Sequence, residues 1–124
     1  MIKDILFVGL GGGIGSMARF LCQRWMLAAF PGAFPAGTFL VNIAGCFLIG
    51  LFWSAFTRSF DAGENWRLFL MTGFCGGYTT FSAFTLESIN LVREQKTGLF
   101  FLYIGTSVVL GLLATWAGIR LIRA

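Results

Sequence analysis

The sequence predicts an all-α membrane protein, a single domain over 1–124 built from four transmembrane helices with the third one broken, and three observations predict it. Hydrophobic residue types make up 57% of the chain and charged ones 11%, well under the ~25% charged of soluble domains. Too little polar surface remains to coat a small soluble globule. Apolar segments recur at about 5–22, 38–56, 68–92 and 99–119, each long enough as a helix to cross the ~30 Å hydrocarbon core at ~1.5 Å per residue. The third segment is interrupted near 76–79, where Gly76-Gly77 and Thr79-Thr80 favour non-helical backbone in the middle of apolar sequence. A break facing lipid leaves amides and carbonyls unsatisfied at several kcal/mol each, so it persists only where protein or a water-filled cavity covers it. In transporters and channels such breaks lie near ion sites.

The net charge of +4 does not form a nucleic-acid patch, because the basic residues are dispersed at segment ends, where Lys and Arg lie beside headgroups. An even number of crossings puts Lys3, Arg58, Arg67, Arg120 and Arg123 on one side of the bilayer. The other side receives Arg24, Arg93 and Lys96, with Arg19 added if it reaches the interface. That bias is weak for a rule that sets orientation by Lys/Arg excess, so the chain is expected to insert both ways up. Lys3 ahead of an apolar run, with Ser16-Met17-Ala18 as a cleavage-like site, imitates a signal peptide. Cleavage would discard an Arg-bearing, Gly-rich helix, and the segment is expected to stay.

The first helix carries Gly9/Gly13 and Gly11/Gly15, two i,i+4 rows of the small residues that let membrane helices approach closely. Gly13-x-Gly15-x-x-Ala18 resembles a loose dinucleotide fingerprint, but no strand precedes it and no acidic ribose partner follows. Arg19 has two readings: a side chain snorkelling to the interface, or a fixed positive charge that draws anions to a vestibule. Pro31 and Pro35 mark a short connector. In the second helix Thr38 and Asn42 share a face with Gly45. An Asn inside a membrane helix is costly unless its amide is bonded, so Asn42 either ties helices together or lines a polar path. The connection 57–67, with Arg58, Asp61, Gly63, Glu64 and Arg67, reads as solvated.

After the break, Phe81 and Phe84 lie at i,i+3 with Glu87 another three residues on. By spacing alone two such rings are core or lipid contacts. Directly after a break, and interleaved with Thr79, Thr80 and Ser82, they are candidates for a lining that presents ring edges, whose partial positive charge faces an anion without trapping it. In the fourth helix Tyr103 and Ser107 are i,i+4 with Gly111 continuing the row. Their hydroxyls either bond carbonyls one turn back or form a donor track for a dehydrating anion. The three cysteines, Cys22, Cys46 and Cys75, have no metal-ligand spacing and read as small packing residues.

The chain has no His, no Cys/His cluster, no nucleophile beside a base and no pair of mid-membrane carboxylates, so the sequence is not expected to be that of an enzyme. Its intramembrane polar groups are neutral donors, which suit a small, hard, strongly hydrated anion, since each lost water needs a donor while a full charge would hold the ion. Three segments now bear a family resemblance: Gly12-Gly13-x-Gly15-x-x-x-Arg19-Phe20; Gly37-Thr38-x-x-Val41-Asn42-x-x-Gly45-x-Phe47-x-x-Gly50; and Gly73-Phe74-Cys75-Gly76-Gly77-x-Thr79-Thr80-Phe81-Ser82-x-Phe84. They look like the signature segments of the Fluc (CrcB-like) fluoride channels. The resemblance implies an antiparallel, dual-topology homodimer in the bilayer of the bacterial inner membrane, passing fluoride passively out of the cell to relieve its toxicity. It also implies a pore asparagine at Asn42, a phenylalanine pair at Phe81 and Phe84, a polar track at Tyr103 and Ser107, and a structural Na⁺ on the backbone carbonyls of Gly76 and Thr79. Ala83 and Gly111 depart from the family pattern by lacking a hydroxyl. The competing readings are a small dual-topology multidrug exporter, which would need a carboxylate in the first helix that 5–22 lacks, and a non-transporting membrane subunit.

Overall fold

The computed structural model describes residues 1–58 and 63–123, so the middle of the 57–67 connection, Asp61 included, lies outside the described residues, as does Ala124. Among the described residues there is no strand. Helix α1 (Ile2–Ala29) and α2 (Ala36–Arg58) are joined by the connector that holds Pro31 and Pro35, and α2 begins directly after Pro35, whose fixed φ suits a helix entry. Helix α3 (Glu64–Arg67) runs into a π-helix (Leu68–Cys75) and then a short α4 (Gly76–Tyr78); after two extended residues come α5 (Phe81–Arg93) and α6 (Thr97–Arg123). Three helical stretches, Ile2–Ala29, Ala36–Thr57 and Thr97–Ile122, are long and apolar enough to cross a membrane. They carry outward-facing apolar side chains such as Leu10, Phe20, Trp25, Phe101, Leu112 and Trp116, which water would penalise and hydrocarbon accepts.

The expected break at 76–79 is found at its threonines and not at its glycines. Gly76 and Gly77 are helical, and the extended residues are Thr79 (φ −90°, ψ 160°) and Thr80 (φ −150°, ψ 121°). A Cβ on Gly76 would meet nothing within 4 Å, whereas Gly77, with Gly73 before it, serves close approach. A Cβ on Gly77 would run into the carbonyl of Gly12, and one on Gly73 would come within 2.8 Å of the Val8 carbonyl oxygen. From the other side Gly11 and Gly15 meet the Phe69 and Phe74 carbonyls, so α1 and the π-helix with α4 touch backbone to backbone along two i,i+4 glycine rows. Gly9 and Gly13, the other expected row, face open space. A second glycine seam joins α2 to α6, where Gly50 lies against the Thr115 carbonyl and Gly118 against that of Phe47. The interior sits between α2, α5 and α6, where Val41 and Tyr103 are fully buried and Thr38 is 2% exposed.

Candidate functional site

At the break the backbone loses its helical partners, and side chains replace them one by one. Thr79 turns both its N–H (3.1 Å) and its hydroxyl (2.9 Å) to the Cys75 carbonyl, while its methyl sits where a Cβ on Gly45 would be. Thr80 is read on both sides by one amide: its N–H donates to Asn42 Oδ1 at 2.8 Å, and its carbonyl accepts from Asn42 Nδ2 at 3.0 Å. Both oxygen and nitrogen of the Asn42 amide are thereby assigned, and one Nδ2 hydrogen is left over. The Thr80 hydroxyl then caps α5 by accepting from the Ala83 N–H at 3.1 Å, and lies 3.3 Å from the Ser82 hydroxyl. Arg19 donates Nε–H to the Gly77 carbonyl at 3.0 Å, so a cation closes the carbonyl end of α4. Gly76 and Thr79 fare differently. Their α-helical partners would be the N–H groups of Thr80 and Ala83, and these are turned to Asn42 and to the Thr80 hydroxyl.

A second cluster centres on Glu87. Thr38 donates to Glu87 Oε2 at 2.8 Å and Tyr103 to Oε1 at 2.9 Å, while Gln23 Nε2 donates to Thr38 Oγ1 at 3.0 Å. A carboxylate inside an apolar bundle is tolerable when each oxygen has a donor, and here each has one. The two clusters are joined by rings. Phe84 lies 5.8 Å from Phe81 and 5.0 Å from Tyr103, and Tyr103 meets Phe34 edge-on at 5.4 Å.

Beside the break opens a cavity of about 440 Å³, whose walls include Asn42, Gly76, Thr79, Thr80, Phe84 and Ser107. Phe81 also lines it and is 76% exposed, so its ring stands at the mouth. The Ser107 hydroxyl is buried with no protein partner. Asn42 and Ser107, each with a donor hydrogen unspent, therefore both line the cavity together with the rings of Phe81 and Phe84.

Of the residues singled out in the sequence, Asn42, Gly76, Thr79, Thr80, Phe81, Phe84 and Ser107 surround one cavity, whereas Thr38, Tyr103 and Glu87 form the adjoining cluster and do not line it. Ser82 is exposed at the start of α5, and Arg19 is bonded through Nε–H to the Gly77 carbonyl behind the break. Tyr103 and Ser107 share a face of α6 as their spacing requires, but only Ser107 keeps its hydrogen. Gln23 escaped the sequence reading. The argument applied to Asn42, an amide in an apolar helix that must be bonded, would have found it. Cys46, Met71 and Cys75 also line the cavity, a grouping that needs the three-dimensional fold to be seen.

This geometry has relatives. A profile of the family described as CrcB-like protein, Camphor Resistance (CrcB), matches residues 6–119. The chain belongs to the CrcB family. Similar members of the CrcB family include the fluoride-specific ion channel FluC of Flavobacterium psychrophilum, 46% identical over 95% of this chain and 95% of that protein. That of Rhizobium etli is 45% identical over 100% and 98%, and that of Bacteroides fragilis 46% over 94% and 94%. The family match runs through both glycine seams, the break and the Glu87 cluster, so the whole site lies within the part of the chain that CrcB proteins share.

Proposed function

We propose that this chain is a fluoride-selective channel that lets fluoride leave the bacterial cell passively across the inner membrane. The observation that carries the reading is the cavity at the break, lined by neutral donors with hydrogens unspent and by aromatic rings. Fluoride is small and strongly hydrated, so entry requires donors in place of water, and exit requires that no donor hold it too well. The remaining Asn42 amide hydrogen, the Ser107 hydroxyl, and the Phe81 and Ser82 N–H groups in the first turn of α5, which lack partners inside the helix, supply the first. The positive end of α5 adds a fixed favourable potential. The edges of Phe81 and Phe84 supply the second, a weak quadrupolar attraction with no charge. Thr38 and Tyr103 extend the polar lining past Phe84, with their hydrogens given to Glu87.

In this reading residues 64–93 form the fourth crossing, and two copies pair antiparallel, inserted in opposite orientations. The cavity is open on the side where Phe81 is exposed, and a second copy would close it. Such pairing would also bring together the carbonyls of Gly76 and Thr79 from two breaks. Backbone oxygens whose helical partners are diverted suit a hard monovalent cation, and no cluster of His, Cys, Asp or Glu is found for another metal among the described residues. A structural Na⁺ held there would supply the positive charge that steadies facing carbonyls. Arg19 contributes a fixed cation behind α4.

Liposomes containing only this protein test the proposal. Fluoride efflux, followed with an ion-selective electrode under a voltage clamp by a potassium ionophore, should be rapid, with chloride retained. Absence of efflux, or release of chloride alongside fluoride, would overturn it.

A further inference from the structure

Three sulfur-bearing residues, Cys46, Met71 and Cys75, line the cavity. Cys46 stands on α2, and Met71 and Cys75 lie four residues apart in the π-helix, one turn along the same side of the segment. All the cysteines are free thiols. Cys22 is elsewhere, its sulfur 3.3 Å from the Tyr78 hydroxyl, and it does not line the cavity. Cys46 Sγ lies 3.4 Å from where a Cβ on Gly111 would be, in the room that glycine leaves. The remaining wall offers hydroxyls, one amide and apolar groups, with no carboxylate and no imidazole. Hard and borderline cations thus find few ligands there, whereas two thiols and a thioether are the donor set that soft metals select.

We propose that Cys46, Cys75 and Met71 form a binding site for a soft, thiophilic metal cation, and that its occupation blocks the ion path. A soft divalent ion binds by forming two metal–sulfur bonds while each thiol gives up its proton to solvent, and no electron changes hands. The product of one divalent ion and two thiolates is neutral, so it escapes the cost of a net charge in an apolar surrounding. The Met71 thioether adds a third, uncharged ligand. In the single copy the cavity is open past Phe81, the exposed ring at its mouth, and in a pair the metal would share the ion's own route. Once bound, the metal shares the cavity with Asn42, Phe84 and Ser107, leaving the anion no open passage. The blocking half of this inference rests on the channel reading above; the binding half does not.

The probe is Hg²⁺ added to the purified protein in detergent. A near-ultraviolet thiolate-to-metal absorption band should grow to a plateau equimolar with the chain, and bound metal should protect Cys46 and Cys75, but not Cys22, from N-ethylmaleimide as read by peptide mass. Cys46→Ser and Cys75→Ser should each weaken binding at least ~100-fold, beyond the usual cost of losing an outer-shell partner, Met71→Leu should weaken it less, and Cys22→Ser not at all. In liposomes Hg²⁺ should stop fluoride efflux in the wild type and spare Cys46→Ser. Alkylation of Cys46 and Cys75 at equal rates with and without metal, measured on the wild-type protein, would overturn the site whatever the variants do. So would loss of the band in Cys22→Ser. A saturated band with unhindered efflux would overturn the block, while a saturated band in a protein that shows no efflux at all would leave the site standing and remove the channel reading instead.

Discussion

Where α1 meets the π-helix and α4, backbone touches backbone through Gly11, Gly15, Gly73 and Gly77, whereas where α2 meets the break and α5 the contact is carried by side-chain hydrogen bonds from Asn42 and Thr38. The first seam draws on dispersion and close carbonyl contacts, and lipid cannot compete for groups it never reaches. It offers an ion nothing. Each bond of the second seam contributes ~0.5–1.5 kcal/mol net, yet a partner left unpaired costs ~1–3 kcal/mol. That asymmetry makes the polar seam specific without making it strong, and one Asn42 amide hydrogen is left over. On the proposed reading the duties are separate: glycine holds the scaffold, and amides, hydroxyls and rings hold the path.

The largest expected effect breaks the glycine side. Gly15→Ala drives a methyl into the Phe74 carbonyl and Tyr78 amide, and Gly77→Ala into Gly12, so each should cost about 1–3 kcal/mol or more through forced separation. The pair together should yield little folded protein. Gly9→Ala and Gly13→Ala meet open space and should be neutral or gain helix stability, by up to ~1 kcal/mol. Thermal unfolding in detergent decides this. If Gly15→Ala melts with Gly13→Ala, the glycine seam is not what holds α1.

Next comes the polar side. Asn42→Leu leaves the Thr80 N–H and carbonyl unpaired, at about 1–3 kcal/mol for each group, and Asn42→Asp sets a carboxylate oxygen against a carbonyl now 3.0 Å from a donor. Both should lower the melting temperature and stop fluoride efflux, with Asn42→Asp no better than Asn42→Leu. Efflux that survives either change would place the path elsewhere. The rings should separate function from folding. Phe81→Ile and Phe84→Ile roughly conserve volume, a change that typically costs under ~1.5 kcal/mol, but remove the quadrupole, so the protein should fold, melt within a few degrees of wild type and pass little fluoride. Phe→Tyr at either position should lose less. Near-normal efflux through folded Ile variants would make the rings packing residues only.

How much of this was legible beforehand follows the physics of each feature. Composition and four apolar runs give an all-helical membrane chain directly, because hydropathy is a per-residue property. The face shared by Thr38, Asn42 and Gly45 was also readable from i,i+4 spacing, and the structure turns Asn42 and Gly45 to the break and Thr38 to Glu87 on α5. The break was half readable: of the two pairs that favour non-helical backbone, Thr79-Thr80 is extended, whereas Gly76-Gly77 stays helical, and the missing side chain of Gly77 is used by α1. Nothing in Leu68–Cys75 announces π winding, which no side-chain propensity encodes. The partners of Glu87, Arg19 and Gln23 come from other helices, and pairings across the bundle depend on how helices rotate against one another. Spacing along one helix cannot report that.

The smallest expected effect lies outside both seams and calibrates them. Helix α5 ends in a Schellman turn, with Gln95 N–H bonded to the Val92 carbonyl at 3.0 Å and Lys96 N–H to that of Leu91 at 2.8 Å. Gln95 occupies the left-handed position at φ 60°, where most helices place glycine because any Cβ crowds the carbonyl, at a cost of ~1–2 kcal/mol. Gln95→Gly removes that strain and gives back ~0.4–1 kcal/mol through a freer unfolded chain, so the net gain should lie between about 0 and 1.6 kcal/mol. Because Gln95 is exposed and touches neither the cavity nor the glycine rows, the variant should melt slightly higher with fluoride efflux unchanged. A variant that melts lower would mean that Gln95 makes side-chain contacts worth more than its backbone strain. One that melts higher but conducts less would mean that the α5–α6 turn is coupled to the path, and the separation of scaffold from path would then have to be redrawn around α5.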